Sequence, residues 1–418
     1  MPFSVACVLF ALAVRAAPCR RRGLRALDCT VSAIALLAIL QAVPAPRSIL
    51  NLVSPQSSMV RAGLSLDRQT EPSWLPLSID QAATIWASLV ALGAFALFVA
   101  ARRVFAYGGT RSTVRGISAA GLGLSAIALA QAATAGRLIY WRFPTEYEGP
   151  LPFGPFVNRN HFATWAIMAA PLCLGYIIAR ADRSDGPDIT HPRTRLARLA
   201  DGRTLWLTAA AAAMIGALLA TLSRSGILSL AMAMIVSAVL WGPRFAARRG
   251  WWAGVGLAVA IGLGAAQADL PALAERARAS GSSIDNRVRI WRDTLPIVAD
   301  FWLTGTGAGT YRTAMLYYQR SDRVVQFNQA HNHYLQAAAE GGGLLLGLIG
   351  CALVALGRAV RRHGSVDIRG TQWIRAGAAT GLIAVALQSV WETGLVMPAN
   401  AALAAVLAAI AVHERLPE

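Results

Sequence analysis

Apolar runs of 17 to 20 residues recur along this chain, separated by polar connections of very different length. A bilayer core takes roughly 17–25 apolar residues per helix. Eleven stretches qualify, near 2–18, 27–45, 82–101, 116–135, 161–180, 205–223, 225–242, 251–268, 341–360, 374–393 and 396–413. With no internal repeat of fixed period, the pattern predicts an all-α polytopic membrane protein with about 11 (10–12) transmembrane helices. The whole chain, 1–418, reads as a single integral membrane domain.

A different period governs "SIDNRVRIWRDTLPIVADFW", residues 283–302. Ile284, Val288, Trp291, Leu295, Val298 and Trp302 recur at steps of three and four. At about 100° per residue they form one narrow stripe, so the segment predicts an amphipathic helix lying on the membrane surface. Asp285 or Asn286 is placed to cap its start, and Pro296 to kink or restart it. Arg287 and Arg292 flank the stripe and Arg289 points away from it. Anchoring to anionic lipid and binding of a phosphorylated substrate both fit these arginines.

Composition agrees with the pattern. Of 418 residues, 56% are hydrophobic and 14% charged, against about 25% charged in soluble domains. The net charge of +18 comes from 39 Arg and no Lys against 21 acids, and its distribution follows topology. Alternate connections carry 23 Arg and 8 acids, a net +15, while the others carry 15 Arg and 13 acids, a net +2; Arg15, inside the first segment, completes the 39. By the positive-inside rule the first set is cytoplasmic, so the excess calls for no nucleic-acid partner. Segment 180–204 then reads as a solvated cytoplasmic linker, the carboxyl terminus as cytoplasmic and the amino terminus as external. The arginines follow rather than precede residues 2–14, the reverse of a secretory signal peptide. If segment 2–18 does not span, ten helices remain and every later loop keeps its side. The five cysteines lie in or beside apolar segments with no C-x-x-C pair, so neither a disulfide framework nor a zinc site is expected.

Three polar segments fall on the external side: 46–81, 136–160 and the long 269–340 region. Loops of that length are uncommon unless functional or disordered. In the third, "LTGTGAGTY" (303–311) lacks the strand, helix and lysine of a nucleotide loop and reads as a tight turn. "QAHNHYLQAAAEGGG" (329–343) places His331 and His333 just before a membrane helix. A neutral imidazole can accept the proton of an attacking hydroxyl; a structural role is the alternative. As a metal pair H-x-H is weak, since no third ligand accompanies it.

"FVNRNHFATW" (156–165) sets Asn158, Arg159 and His161 at the mouth of a membrane helix. "SRSG" (223–226) sets Arg224 between two apolar runs, where a tight hairpin turn at the outer face would relieve the cost of a buried charge. Glu392 in "VWETG" lies near an outer helix end and reads as structural, able to pair with one of these arginines.

The order and spacing of "FVNRNHFA", "SRSG", "NRVRIWRDTL", "GTGAGTY", "AHNHYLQ" and "EGG" resemble the O-antigen ligase family over about residues 80 to 412. That family also holds O-antigen polymerases and protein O-oligosaccharyltransferases. The resemblance implies an inner-membrane, GT-C-like glycosyltransferase. It would move a glycan from undecaprenyl pyrophosphate to a glycan, lipid or protein hydroxyl on the periplasmic side, without a cofactor. It implies His331 as catalytic base and Arg159, Arg224 and Arg287 as binders of the donor pyrophosphate, with Asn158, His161, Arg292, Asn332 and His333 in support. Where "HAHNDYLQ" is frequent in the family, this chain has Gln329 for the first histidine and His333 for the aspartate. A lipid-linked glycan flippase is the rival class, but a transporter is expected to carry ionisable residues near the midplane of several helices. Here they gather at one face.

Overall fold

The computed structural model describes residue 7 and residues 25–64, 72–135, 138–144, 152–183, 201–245, 280–322, 324–363 and 371–413. These residues are mostly helical, and seven helices are long and apolar enough to cross a membrane. The expected segment 2–18 apart from residue 7, segment 251–268 and most of the 180–204 linker lie outside the described residues. In chain order the helices are α1 (Arg25–Ala42), α2 (Arg47–Val53), α3 (Ser57–Leu64), α4 (Gln81–Ala106), α5 (Thr110–Thr134), α6 (Arg159–Arg183), α7 (Gly202–Ala220) and α8 (Arg224–Phe245). They continue as α9 (Ser280–Asp300), α10 (Tyr311–Tyr318), α11 (His333–His363), α12 (Thr371–Gln388) and α13 (Pro398–Val412). The only described strands are two short antiparallel pairs, Pro44–Pro46 with Trp74–Pro76 and Leu138–Ile139 with Phe143–Pro144.

The chain forms two compact units. In the first (Met1–Leu97, Pro271–Ala359 and Ser389–Thr393) α9 packs on α10. Ile290, Ile297 and Phe301 meet Tyr311, Ala314, Met315 and Tyr318 in one apolar cluster. The helix therefore has a second apolar face beside the expected stripe, whose Leu295 and Trp302 remain exposed. Two boundaries differ from expectation. Helix α9 begins at Ser280, so Asp285 and Asn286 lie inside it and do not cap it, and it runs unbroken through Pro296. The tyrosine hydroxyls are satisfied, Tyr311 by Thr294 Oγ1 at 2.7 Å and Tyr318 by donating to Asp300 Oδ2 at 2.6 Å. Burial raises both phenols above their ordinary range.

Segment 303–309 is a turn, and its glycines serve a carboxylate. Gly305, Gly307 and Gly309 adopt positive φ, which lets the loop wrap the Glu340 side chain. Gly309 N donates to Glu340 Oε2 at 2.9 Å and Tyr311 N to Oε1 at 3.2 Å. Helix α11 is two helical pieces joined at Gly342, whose φ of +61° breaks the α geometry. The expected start of the apolar run, residue 341, falls at this kink, and the helix itself begins eight residues earlier because "HYLQAAAE" is polar on one side only.

In the second unit (Phe98–Leu270, Val360–Gln388 and Gly394–Glu418) α6 lies at the centre, packed by α5, α7, α8, α12 and α13. Its tightest crossing is with α12. A Cβ added at Gly377 would sit 2.4 Å from Pro171 O, and one at Gly381 would sit 2.7 Å from Met168 O. Two small residues four apart thus let the backbones touch, as membrane helices require. Helix α12 stops at Gln388, five residues short of the expected end, so residues 389–393 form a turn.

Candidate active site

In the first unit, three side chains from three separate segments converge. Glu392, in the turn after α12, has a side chain with no exposure to solvent. Its Oε1 faces His331 Nδ1 at 3.2 Å, and its Oε2 faces an Arg287 Nη at 3.8 Å. The first distance is within hydrogen-bond reach; the second is an ion pair without a hydrogen bond. Thr393 N also donates to Oε1, at 3.2 Å. Such a carboxylate is costly to bury unless charge and hydrogen bonds compensate it. Here a guanidinium, an imidazole and a backbone amide do so.

Several contacts fix His331. Its backbone is in the left-handed region, φ +49°, which histidine adopts more readily than most residues but at some cost in strain. On one side, Ala330 N donates to Gln336 Oε1 at 3.2 Å, and Trp291 Nε1 donates to Ala330 O at 2.9 Å. On the other, Asn332 caps α11: its Oδ1 accepts Leu335 N at 3.0 Å, and its carbonyl accepts Gln336 N at 2.9 Å. The Ser389–Thr393 turn is tied to the same loop, since His333 N donates to Ser389 O at 2.7 Å and Thr393 Oγ1 donates to Gln329 Oε1 at 2.7 Å. With Glu392 ionised its oxygen can only accept, which places the imidazole proton on Nδ1 and leaves Nε2 as the basic nitrogen. About a third of the His331 side chain remains exposed, enough for a hydroxyl to reach it.

The other expected residues divide. Arg292 is exposed, Asn332 serves as a helix cap, and His333 opens α11 with a buried Nδ1 that has no hydrogen-bond partner.

In the second unit, Arg159 and Arg224 are the first residues of α6 and α8. These helices start at the same end of the unit: a Cβ at Gly226 would lie 3.0 Å from Ala163 Cβ. Two arginines thus stand at two helix amino termini, where backbone N–H groups already favour anions. The expected hairpin turn is present, with three residues between α7 and α8 and Leu222 at φ +55°. Asn158 caps α6, its Oδ1 accepting Asn160 N at 2.8 Å. His161 is buried, and its carbonyl accepts Asn400 Nδ2 at 3.1 Å. His161 thus helps fix the helix entrance rather than presenting a free ring.

Residues 209–350 match the family model described as O-antigen ligase. The match covers about a third of the chain and supports an O-antigen ligase family assignment. It supports a glycosyltransferase of the ligase or polymerase type, with lipid-linked glycan and acceptor as partners. The ligase-family segment contains Arg224, Arg287, Arg292 and the His331–His333 motif; Arg159, His161 and Glu392 lie outside it. No curated protein matches the chain.

The expected pairing of Glu392 with an arginine is present, to Arg287, and the contact with His331 adds to it. The available signal was an acid closing an apolar run, where an ionisable residue is by default a candidate for function. Among the described residues no group of three or more His, Cys, Asp or Glu is arranged to hold a metal ion.

Proposed function

We propose that this protein is an O-antigen ligase-like transferase of the bacterial inner membrane. It moves a glycan from undecaprenyl pyrophosphate to a hydroxyl of lipid A core or a similar acceptor at the periplasmic face. On this reading the chain has about eleven spans and a GT-C-like arrangement. The 269–340 region is the periplasmic loop that carries the active site, and Arg159, Arg224 and Arg287 take the donor pyrophosphate.

The observation that carries the reading is the His331–Glu392–Arg287 cluster, a basic nitrogen backed by a buried carboxylate beside a guanidinium. His331 Nε2 takes the proton as the acceptor oxygen attacks the anomeric carbon. A C–O bond forms to the acceptor, the bond from that carbon to the pyrophosphate oxygen breaks, and undecaprenyl pyrophosphate leaves. Glu392 holds the Nδ1–H tautomer and stabilises the positive charge that develops on the ring, as a carboxylate does behind a catalytic histidine elsewhere. Arginine suits the leaving group because its planar fork binds phosphate oxygens in pairs. The donor is already activated, so no nucleotide is consumed.

The test is purified protein in liposomes with a lipid pyrophosphate-linked glycan and an acceptor. Transfer to the acceptor with release of undecaprenyl pyrophosphate is expected. Movement of the intact donor between leaflets without release would instead identify a flippase.

A further inference from the structure

We propose that Trp391 and Trp291 form a stacking platform for a pyranose ring beside His331. The proposal rests on the glycosyltransferase reading above and assigns the surface on which one of its two glycans sits.

Trp391 directly precedes Glu392 in the Ser389–Thr393 turn and is 42% exposed. Trp291 lies one helical turn after Arg287 on α9, so the two share a face. It is partly buried against the apolar cluster, and its Nε1 is spent on the carbonyl of Ala330, the residue before His331, which fixes the ring. The two indole centroids are 6.0 Å apart with their planes at 39°. They do not lie flat on one another, and Trp391 keeps surface open. Trp391 is thus bonded to Glu392 itself, and Trp291 is hydrogen-bonded to the residue before His331.

The chemistry of this surface selects its ligand. A pyranose has a rim of hydroxyls and a patch of C–H groups. The C–H groups carry slight positive charge and meet the negative face of an indole, while the patch gains from leaving water. A ring seated on Trp391 directs its hydroxyl edge toward the charged cluster, where a reacting hydroxyl or anomeric carbon must lie. The ring can belong to the donor glycan or to the acceptor, and the experiment separates them. A tryptophan that only anchors the protein to lipid headgroups needs apolar bulk but makes no contact with a lipid-free sugar.

The full-length protein in detergent is assayed as wild type, Trp391→Phe and Trp391→Leu. Loss of the stack is expected to raise the KM of one substrate about fivefold to tenfold in Trp391→Leu with kcat little changed. Trp391→Phe should stay within about twofold of wild type. Two lipid-free oligosaccharides, one cut from the donor by mild acid and one from the delipidated acceptor, are titrated by calorimetry. The one whose binding weakens identifies the glycan that stacks. In wild-type protein the same oligosaccharide should shield Trp391 from hydroxyl-radical labelling, which keeps the test valid if a variant fails to fold. Unchanged KM for both substrates in Trp391→Leu, or labelling of Trp391 indifferent to both oligosaccharides, overturns the platform. Binding and labelling are also read in His331→Ala, so failure of the base assignment is seen separately from failure of the platform.

Discussion

Replacing Glu392 with glutamine removes one negative charge from a fully buried side chain and changes little else in shape. The amide oxygen can still accept from Thr393 N, so the turn should persist. His331 loses a carboxylate at 3.2 Å. Full unit charges at that separation would attract by about 5 kcal/mol at an effective dielectric of ~20. That is an upper bound, because the proton is only partly transferred in the transition state. A hydrogen bond to a charged group contributes about 1.5–3 kcal/mol net, which corresponds to about 10- to 150-fold in kcat. Glu392→Gln is therefore expected to lower kcat by that factor in a reconstituted transfer assay, with the thermal midpoint near wild type. Arg287 loses its ion-pair partner but should still bind the donor, so donor KM should change less than kcat. A folded Glu392→Gln protein transferring within twofold of the wild-type rate would refute the coupling of Glu392 to His331.

Three further outcomes follow from the same contacts. Asn332→Ala removes the cap of α11 and should cost about 0.5–2 kcal/mol, read as a lower thermal midpoint; an unchanged midpoint would show that the cap bond is not needed. Gly342→Ala would place a Cβ 2.3 Å from the Leu303 carbonyl carbon at a φ of +61°, and overpacking with strain should destabilise by about 1–3 kcal/mol or more; wild-type stability would contradict the fixed kink. The Asp201 carboxyl is held below its ordinary range first by hydrogen bonds from Thr204, with Arg180 adding to them. Its contribution is present above the ordinary carboxylate pKa and lost as pH falls through the depressed value. Amide exchange at Thr204, whose N–H donates to Asp201 Oδ1 at 2.8 Å, should therefore quicken on acidification below about pH 4 in wild type, and Asp201→Asn should abolish that dependence.

How much was legible in the sequence depended on the kind of force involved. The long apolar helices follow from chain hydrophobicity, which is local. Helix ends moved wherever a polar turn carried its own helical propensity, as at His333, or where a long-range partner pulled residues out of a helix. The Ser389–Thr393 turn is the second case, because its bonds go to Gln329, His331 and His333 some sixty residues away. The amphipathic stripe at 283–302 was visible, but the second apolar face that packs on α10 was not, since period alone cannot tell which side meets protein. The glycines of 303–309 read as a turn, yet that they wrap a carboxylate became evident only with Glu340 in place. His331 and Arg287 stood out by residue type and motif. Glu392 was legible only as an acid able to pair with an arginine, and its contact with His331 became evident only with the fold.

The central claim is that His331 takes the acceptor proton in a transfer reaction. It is tested most directly by single-turnover transfer from a lipid pyrophosphate-linked glycan by purified wild type and His331→Ala, both verified as folded and donor-binding. The account predicts a loss of about 10²–10⁴-fold in the transfer step, with donor affinity retained. Transfer by His331→Ala at near wild-type rate would contradict it.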